Sequence, residues 1–205
     1  KKVVLGRPSL LGYSVEANMA PKLDWLQTRL ELDAAQLKKL VVAQPTLLGY
    51  SVEANMAPTL EWLQTRLDLD AAQITKVVLR LPQLLGYSVD ANMEPKLDWL
   101  QKRLDLDAAQ LRKMVLTLPA LLSYSAEANM APKLAYLERE AGLSRSELRD
   151  RVLIFPQIMS YSLEKRYRPR VEACRAAGVD PAYAVTTAPY TDDYFYARLE
   201  RMMAT

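Results

Sequence analysis

Leu84–Gln110 reads LLGYSVDANMEPKLDWLQKRLDLDAAQ, and it is one copy of a unit that the chain repeats. Leu-Leu-Gly-Tyr-Ser opens at Leu10, Leu47 and Leu84, and returns as Leu-Leu-Ser-Tyr-Ser at Leu121 and Ile-Met-Ser-Tyr-Ser at Ile158. Each step is 37 residues, and Pro8, Pro45, Pro82, Pro119 and Pro156 keep the same register. A fixed period of this size is the signature of a solenoid, in which each unit buries its apolar face only by stacking on its neighbours.

Within the unit the pattern is helical. Val89, Met93, Leu97, Leu100 and Leu104 fall on one apolar stripe. Ser14, Ser51, Ser88, Ser125 and Ser162 stand where an N-cap is needed for this first helix. Pro95 lies inside it and cannot donate to the carbonyl of Ala91, so one kinked helix is expected. A second helix opens at Asp33, Asp70, Asp107 and Ser144, each followed three residues later by Gln36, Gln73, Gln110 or Glu147 as a capping box. It ends before the periodic proline, and the Pro-x-Leu-Leu segment suits a 3₁₀ turn. No stretch alternates with period two, so the fold class is all-α, a curved solenoid of about five repeats.

Residues 1–177 are expected to form the array, with the first repeat truncated, and 178–205 a C-terminal capping segment. In that segment Thr191 would cap a last helix, Asp192–Met203, and the cluster Tyr183, Tyr190, Tyr194, Phe195 and Tyr196 would close the end by aromatic burial. The opening Lys1-Lys2-Val3-Val4 aligns with the middle of a second helix, Lys38–Val41. The chain therefore reads as a fragment whose N-terminal portion, with any targeting signal, has been removed.

Composition excludes much chemistry. The 205 residues include no histidine and one cysteine, Cys174, which removes Ser–His and Cys–His machinery and the usual zinc sites. Cys174, among Val171, Ala173 and Ala176, reads as a small core residue. No Gly-rich phosphate loop and no membrane span are evident. No catalytic residue, cofactor, metal or small-molecule substrate is expected, and the chain is expected to act as a monomer.

The net charge of +3 is too small to name a partner, so placement decides. Asp90, Glu94, Asp98, Gln101 and Asp105 should form an acidic outer face of the first helix. Its other flank carries Asn92, Lys96, Trp99 and Arg103, repeated as Asn18, Lys22, Trp25 and Arg29, with Thr59 in place of lysine in the second unit, then Lys133, and finally Arg166 and Arg170. The second helix adds a lysine column, Lys2, Lys39, Lys76 and Lys113, with Arg80 beyond Lys76. That column reads either as a solvated face or as a phosphate-binding track. Lys165, Arg166, Arg168 and Arg170 form the densest basic cluster and the first choice for phosphate contact. The tryptophans are read as packing against the neighbouring repeat, and the arginines Arg29, Arg66 and Arg103 can pair with acids of adjacent repeats. The periodic asparagines would satisfy backbone groups freed by the proline, and the periodic tyrosines would anchor the turns in the core.

The periodic Leu-Pro, the Leu-Leu-Gly-Tyr-Ser turn, the Asn-x-x-Pro-Lys-Leu-x-Trp-Leu helix and the capped Leu-Asp-Ala-Ala-Gln-Leu helix together resemble the mitochondrial transcription termination factor (mTERF) family. The stretch Phe155–Arg170, FPQIMSYSLEKRYRPR, looks like that family's last repeat. The resemblance implies two α-helices and a 3₁₀ helix per repeat in a curved superhelix, and nucleic acid on its concave face. It also implies residence in mitochondria or, alternatively, chloroplasts. Double-stranded DNA is the expected partner, in transcription termination. RNA binding for organellar processing or ribosome assembly, and a protein-interaction scaffold, are the alternatives.

Overall fold

A computed structural model describes residues 12–204, and among these there are helices and no strands. In chain order the α-helices are α1 (Ala20–Arg29), α2 (Ala34–Ala43), α3 (Ala57–Leu67), α4 (Ala71–Arg80), α5 (Glu94–Leu104), α6 (Ala108–Thr117), α7 (Ala131–Glu140), α8 (Arg145–Ile154), α9 (Arg168–Ala176), α10 (Tyr183–Thr186) and α11 (Asp192–Met203). Short 3₁₀ helices at Pro45–Gly49, Pro82–Gly86, Pro119–Ser123 and Pro156–Ser160 join the repeats. Pro8, Leu10 and Lys2 lie outside the described residues. No helix among those described is long and apolar enough to cross a membrane.

The proline inside the first helix is absorbed differently from a simple kink. Each of α1, α3, α5, α7 and α9 is preceded, without a break, by one π-helical turn: Val15–Met19, Val52–Met56, Val89–Met93, Ala126–Met130 and Leu163–Tyr167. In the first of these, Met19 N donates to Ser14 O at 3.2 Å, and Ala20 N donates to Val15 O, five residues back. Widening the turn removes the need for a donor at Pro21, which then sits in the first turn of α1, where a missing N–H costs nothing. The serine caps hold the other end: the backbone N–H of Ala17, Ala54, Ala91, Ala128 and Lys165 donates to the serine hydroxyl three residues back, at 2.9–3.1 Å.

The second helices start with reciprocal capping boxes. Gln36 N donates to Asp33 Oδ1 at 2.8 Å while Asp33 N donates to Gln36 Oε1 at 3.0 Å, and the same exchange occurs at Asp70–Gln73, Asp107–Gln110 and Ser144–Glu147. Between the two helices the backbone turns left-handed at Glu31, Asp68, Asp105 and Gly142, with φ of 51°, 49°, 51° and 70°. That geometry lets Leu32 N reach Gln27 O, and Leu106 N reach Gln101 O, each at 2.9 Å, closing the helix end.

The described chain packs as two compact units. One comprises the residues up to Asp98 together with Leu111–Ser123, the other Trp99–Gln110 together with Tyr124 onward. The first has a core of Leu26, Leu40, Leu47, Met56, Leu60, Leu63, Ile74, Val77, Leu84, Met93, Leu97, Met114 and Leu121, and the second of Leu104, Met130, Leu134, Leu137, Leu148, Val152, Met159, Val171, Cys174 and Phe195. Burial raises the Cys174 thiol pKa, in keeping with a packing role.

Ion pairs tie consecutive repeats inside each unit. In the first unit Arg66 reaches Glu94 (2.7 Å) and Asp98 (2.9 Å), Trp62 Nε1 donates to Glu94, and Arg112 reaches Asp68 (2.7 Å). In the second, Arg103 pairs with Glu138, and Arg145 donates to the carbonyls of Lys102 (2.6 Å) and Arg103 (2.9 Å). On the acidic face expected of the first helix, Glu94 and Asp98 thus serve as partners of the preceding repeat, while Asp90 and Asp105 are exposed. The C-terminal aromatics also depart from expectation. Phe195 is buried and stacked on Tyr183, with ring centroids 5.9 Å apart, whereas Tyr190, Tyr194 and Tyr196 remain exposed.

Candidate nucleic-acid interface

The basic side chains singled out in the sequence divide by what holds them. Lys22, Lys96, Lys133 and Arg170 share one register position, each a whole number of 37-residue steps from the others. The first helix points this position toward the next repeat. Lys22 Nζ donates to Asn18 Oδ1 (3.0 Å), one turn back, and to Leu48 O (2.9 Å) in the following 3₁₀ helix. Lys96 does the same with Asn92 (2.9 Å) and Leu122 O, and Lys133 with Asn129 (3.1 Å) and Met159 O. Each ammonium also sits over its own repeat's tyrosine, Tyr13, Tyr87 or Tyr124, at 5.8–6.0 Å from the ring centroid.

Lys96 is 8% exposed and Lys133 2%. Burial lowers both pKa values, that of Lys133 to about 8. These cations are internal cross-links between repeats. The asparagines serve as their acceptors rather than answering the proline, except Asn55, which accepts from Ser51 N (3.1 Å). Tyr87 and Tyr124 are half-buried platforms for the ammonium groups and Tyr13 an exposed one, whereas half-buried Tyr161 lies under Arg166 and Tyr50 lies against Gly86.

Arg170 is the same cross-link at the last repeat. It is 1% exposed and donates to Thr187 O (2.7 Å), Tyr190 O (2.7 Å) and Asp192 Oδ1 (2.7 and 3.1 Å), with its guanidinium 4.7 Å from the Phe195 ring centroid. Its hydrogen bonds hold the Asp192 carboxyl pKa below the ordinary value. The expectation that Arg170, Lys133 and Lys96 contact phosphate is corrected on this geometry, since their donors are buried and already engaged. Half-buried Lys22 is engaged in the same way, and Arg103 is taken by Glu138.

The rest of the C-terminal cluster is mixed. Arg166 donates to Ala188 O (2.9 Å) and Tyr190 O (2.6 Å) and lies over Tyr161. Arg168 is exposed, bonded to Glu164 (2.9 Å) and placed over the Tyr136 ring. Lys165 is exposed and, among the described residues, has no polar partner for its ammonium.

The lysine column on the second helices behaves differently. Lys39 on α2, Lys76 on α4 and Lys113 on α6 all belong to the first compact unit and all are exposed. None of the three ammonium groups has a hydrogen-bond or acidic partner among the described residues. Their fellow Lys2 lies outside those residues, and Asp150 occupies the position in α8. Lys38, next to Lys39, is likewise exposed and, among the described residues, unpartnered; the sequence shows no lysine column there because Thr75 holds that position in the next repeat, and its register-mates Arg112 and Arg149 pair with Asp68 and Asp105. Three unneutralised cations at one repeat position can take an anion with an equally regular charge spacing.

No curated protein matches the chain at a significant level. The repeat that builds this surface, two helices and a 3₁₀ turn over a 37-residue period, agrees with the family model for mTERF, which matches residues 1–189, and the chain belongs to the mTERF family.

Proposed function

We propose that the protein is a non-catalytic, monomeric binder of double-stranded DNA in organellar transcription, holding the duplex by its phosphates. The family suggests a nucleic-acid-binding factor of organellar gene expression. The observation that carries the duplex reading is the free lysine column, Lys39, Lys76 and Lys113, in a unit where Lys96, Arg66 and Arg112 are internally bonded. Lys165 and the outward edge of Arg168 would add grips in the second unit. A duplex so held would resist an advancing polymerase, which is the proposed route to termination, in the mitochondrion. The histidine-free composition favours this over catalysis.

Salt dependence tests the reading. Each phosphate contact adds about 0.9 to the slope of log affinity against log salt. Replacing Lys39, Lys76 and Lys113 by alanine should flatten that slope by about 3 while leaving the fold intact. An unchanged slope would remove the column from the interface. Competition by single-stranded RNA but not by duplex DNA would replace the duplex reading with an RNA one.

A further inference from the structure

The second unit exposes aromatic surface that its packing leaves unused. Tyr190 is 48% exposed and Tyr194 43%, and their ring centroids lie 4.5 Å apart. Both are held in place by arginines. Arg166 donates to the Tyr190 carbonyl at 2.6 Å, and Arg198 donates to the Tyr194 hydroxyl at 3.2 Å. Exposed Lys165 adjoins Arg166 in sequence, and exposed Arg201 follows Arg198 by one helical turn. The acids nearby in α11 are Asp192, already paired with Arg170, and Asp193 and Glu200.

We propose that Tyr190 and Tyr194 form a stacking platform for unpaired nucleobases, with Lys165, Arg198 and Arg201 taking the adjoining phosphates. Aromatic faces accept any base, and guanidinium groups beside them supply both charge and further stacking. Packing does not explain the exposure, because Phe195 and Leu199 alone bury the inner side of α11. Cations stand at both tyrosines, the charge that a phosphate-bearing strand requires beside its stacked bases. The inference rests on the nucleic-acid reading above and shares Lys165 with it, but concerns a separate ligand form and adds Tyr190, Tyr194, Arg198 and Arg201.

The test compares the full chain on a blunt duplex, on the same duplex with a short single-stranded extension, and on one whose extension lacks bases. Deoxy and ribo versions of the extension identify which strand type is preferred. A base-bearing extension should raise affinity about five- to a hundredfold per stacked base, and the abasic extension should not. Tyr190→Ala with Tyr194→Ala should abolish that gain and leave blunt-duplex affinity unchanged, while the two phenylalanine variants retain it. Both side chains are on the surface, and circular dichroism would confirm an unchanged fold. Equal gain from the abasic extension, or a gain that survives the alanine pair, overturns the proposal; so does no gain at all, the result expected of a protein-docking patch. Failure of the blunt duplex to bind in a salt-dependent way would overturn the duplex reading instead, and free single strands would still report on the tyrosines.

Discussion

Lys96 and Lys113 lie on consecutive helices, both recur at the 37-residue period, and their ammonium groups meet opposite fates. Lys96 turns inward to Asn92 and the Leu122 carbonyl, while Lys113 faces solvent without a partner. The difference arises from what stands opposite. In three of the four 3₁₀ helices a carbonyl, of Leu48, Leu122 or Met159, accepts from the lysine of the preceding repeat. No such acceptor faces the second-helix position. One periodic set of cations therefore holds the repeats to each other, and the other is left without a partner among the described residues.

The sharpest way to break this comparison is at Arg170, where the internal set ends. Arg170→Met removes donors from two buried-side carbonyls and from Asp192, and should cost about 3–5 kcal/mol of stability. The loss should appear as a lowered denaturant midpoint and as faster hydrogen exchange in α11. The alanine triple at Lys39, Lys76 and Lys113 should leave the midpoint within about 0.5 kcal/mol per site of its starting value. If Arg170→Met altered affinity for DNA more than stability, the division into internal and external cations would be wrong.

Much of this fold is written in residues that act locally. Ser and Asp caps, the reciprocal glutamines, the Pro-x-Leu-Leu turns and the helix Asp192–Met203 behind Thr191 each depend on neighbours within four positions, and each is found where the sequence places it. The cations were harder to read. Whether Lys133 points in or out depends on a carbonyl 26 residues away, which helical periodicity does not encode. One signal was available: Arg170 stands in register with Lys22, Lys96 and Lys133, so it belongs with them rather than with a separate basic cluster. The exposed tyrosines were misread for a related reason. Aromatic content says that surface is available for burial, and only the packing of Phe195 shows how little of it α11 needs.

The internal set should also leave a mark on pH dependence. Lys133 titrates at about 8 in the fold, because burial disfavours its charged form, against 10.5 ordinarily. Below pH ~8 both folded and unfolded chains carry the proton, and the cost of the buried charge is fully present. Between about 8 and 10.5 the unfolded chain binds more protons, so this group makes stability rise with pH. The rise is at most about 3 kcal/mol, since a full unit is worth about 1.4 kcal/mol and the Asn129 and Met159 acceptors favour the charged form. Lys133→Met should flatten the profile over that window. A profile identical in the variant would mean that the ammonium remains charged throughout.

The smallest effect is the most informative about the comparison, because it concerns the one repeat that breaks the pattern. Thr59 occupies the cross-linking position, is 1% exposed, and its hydroxyl has no protein partner. Here Asn55 turns back to Ser51, and Tyr50 leans on Gly86 so closely that a Cβ there would meet its ring at 2.3 Å. The same joint gains Arg66 with Glu94 and Asp98, and Trp62 with Glu94, so the repeats stay joined by other pairs. A buried hydroxyl without a partner costs about 1–3 kcal/mol, and valine fills nearly the same volume. Thr59→Val should therefore stabilise the protein by about 1 kcal/mol, seen as a higher denaturant midpoint. A loss of stability would mean that the hydroxyl is satisfied by solvent and that this joint, like the others, depends on a hydrogen bond at the shared position.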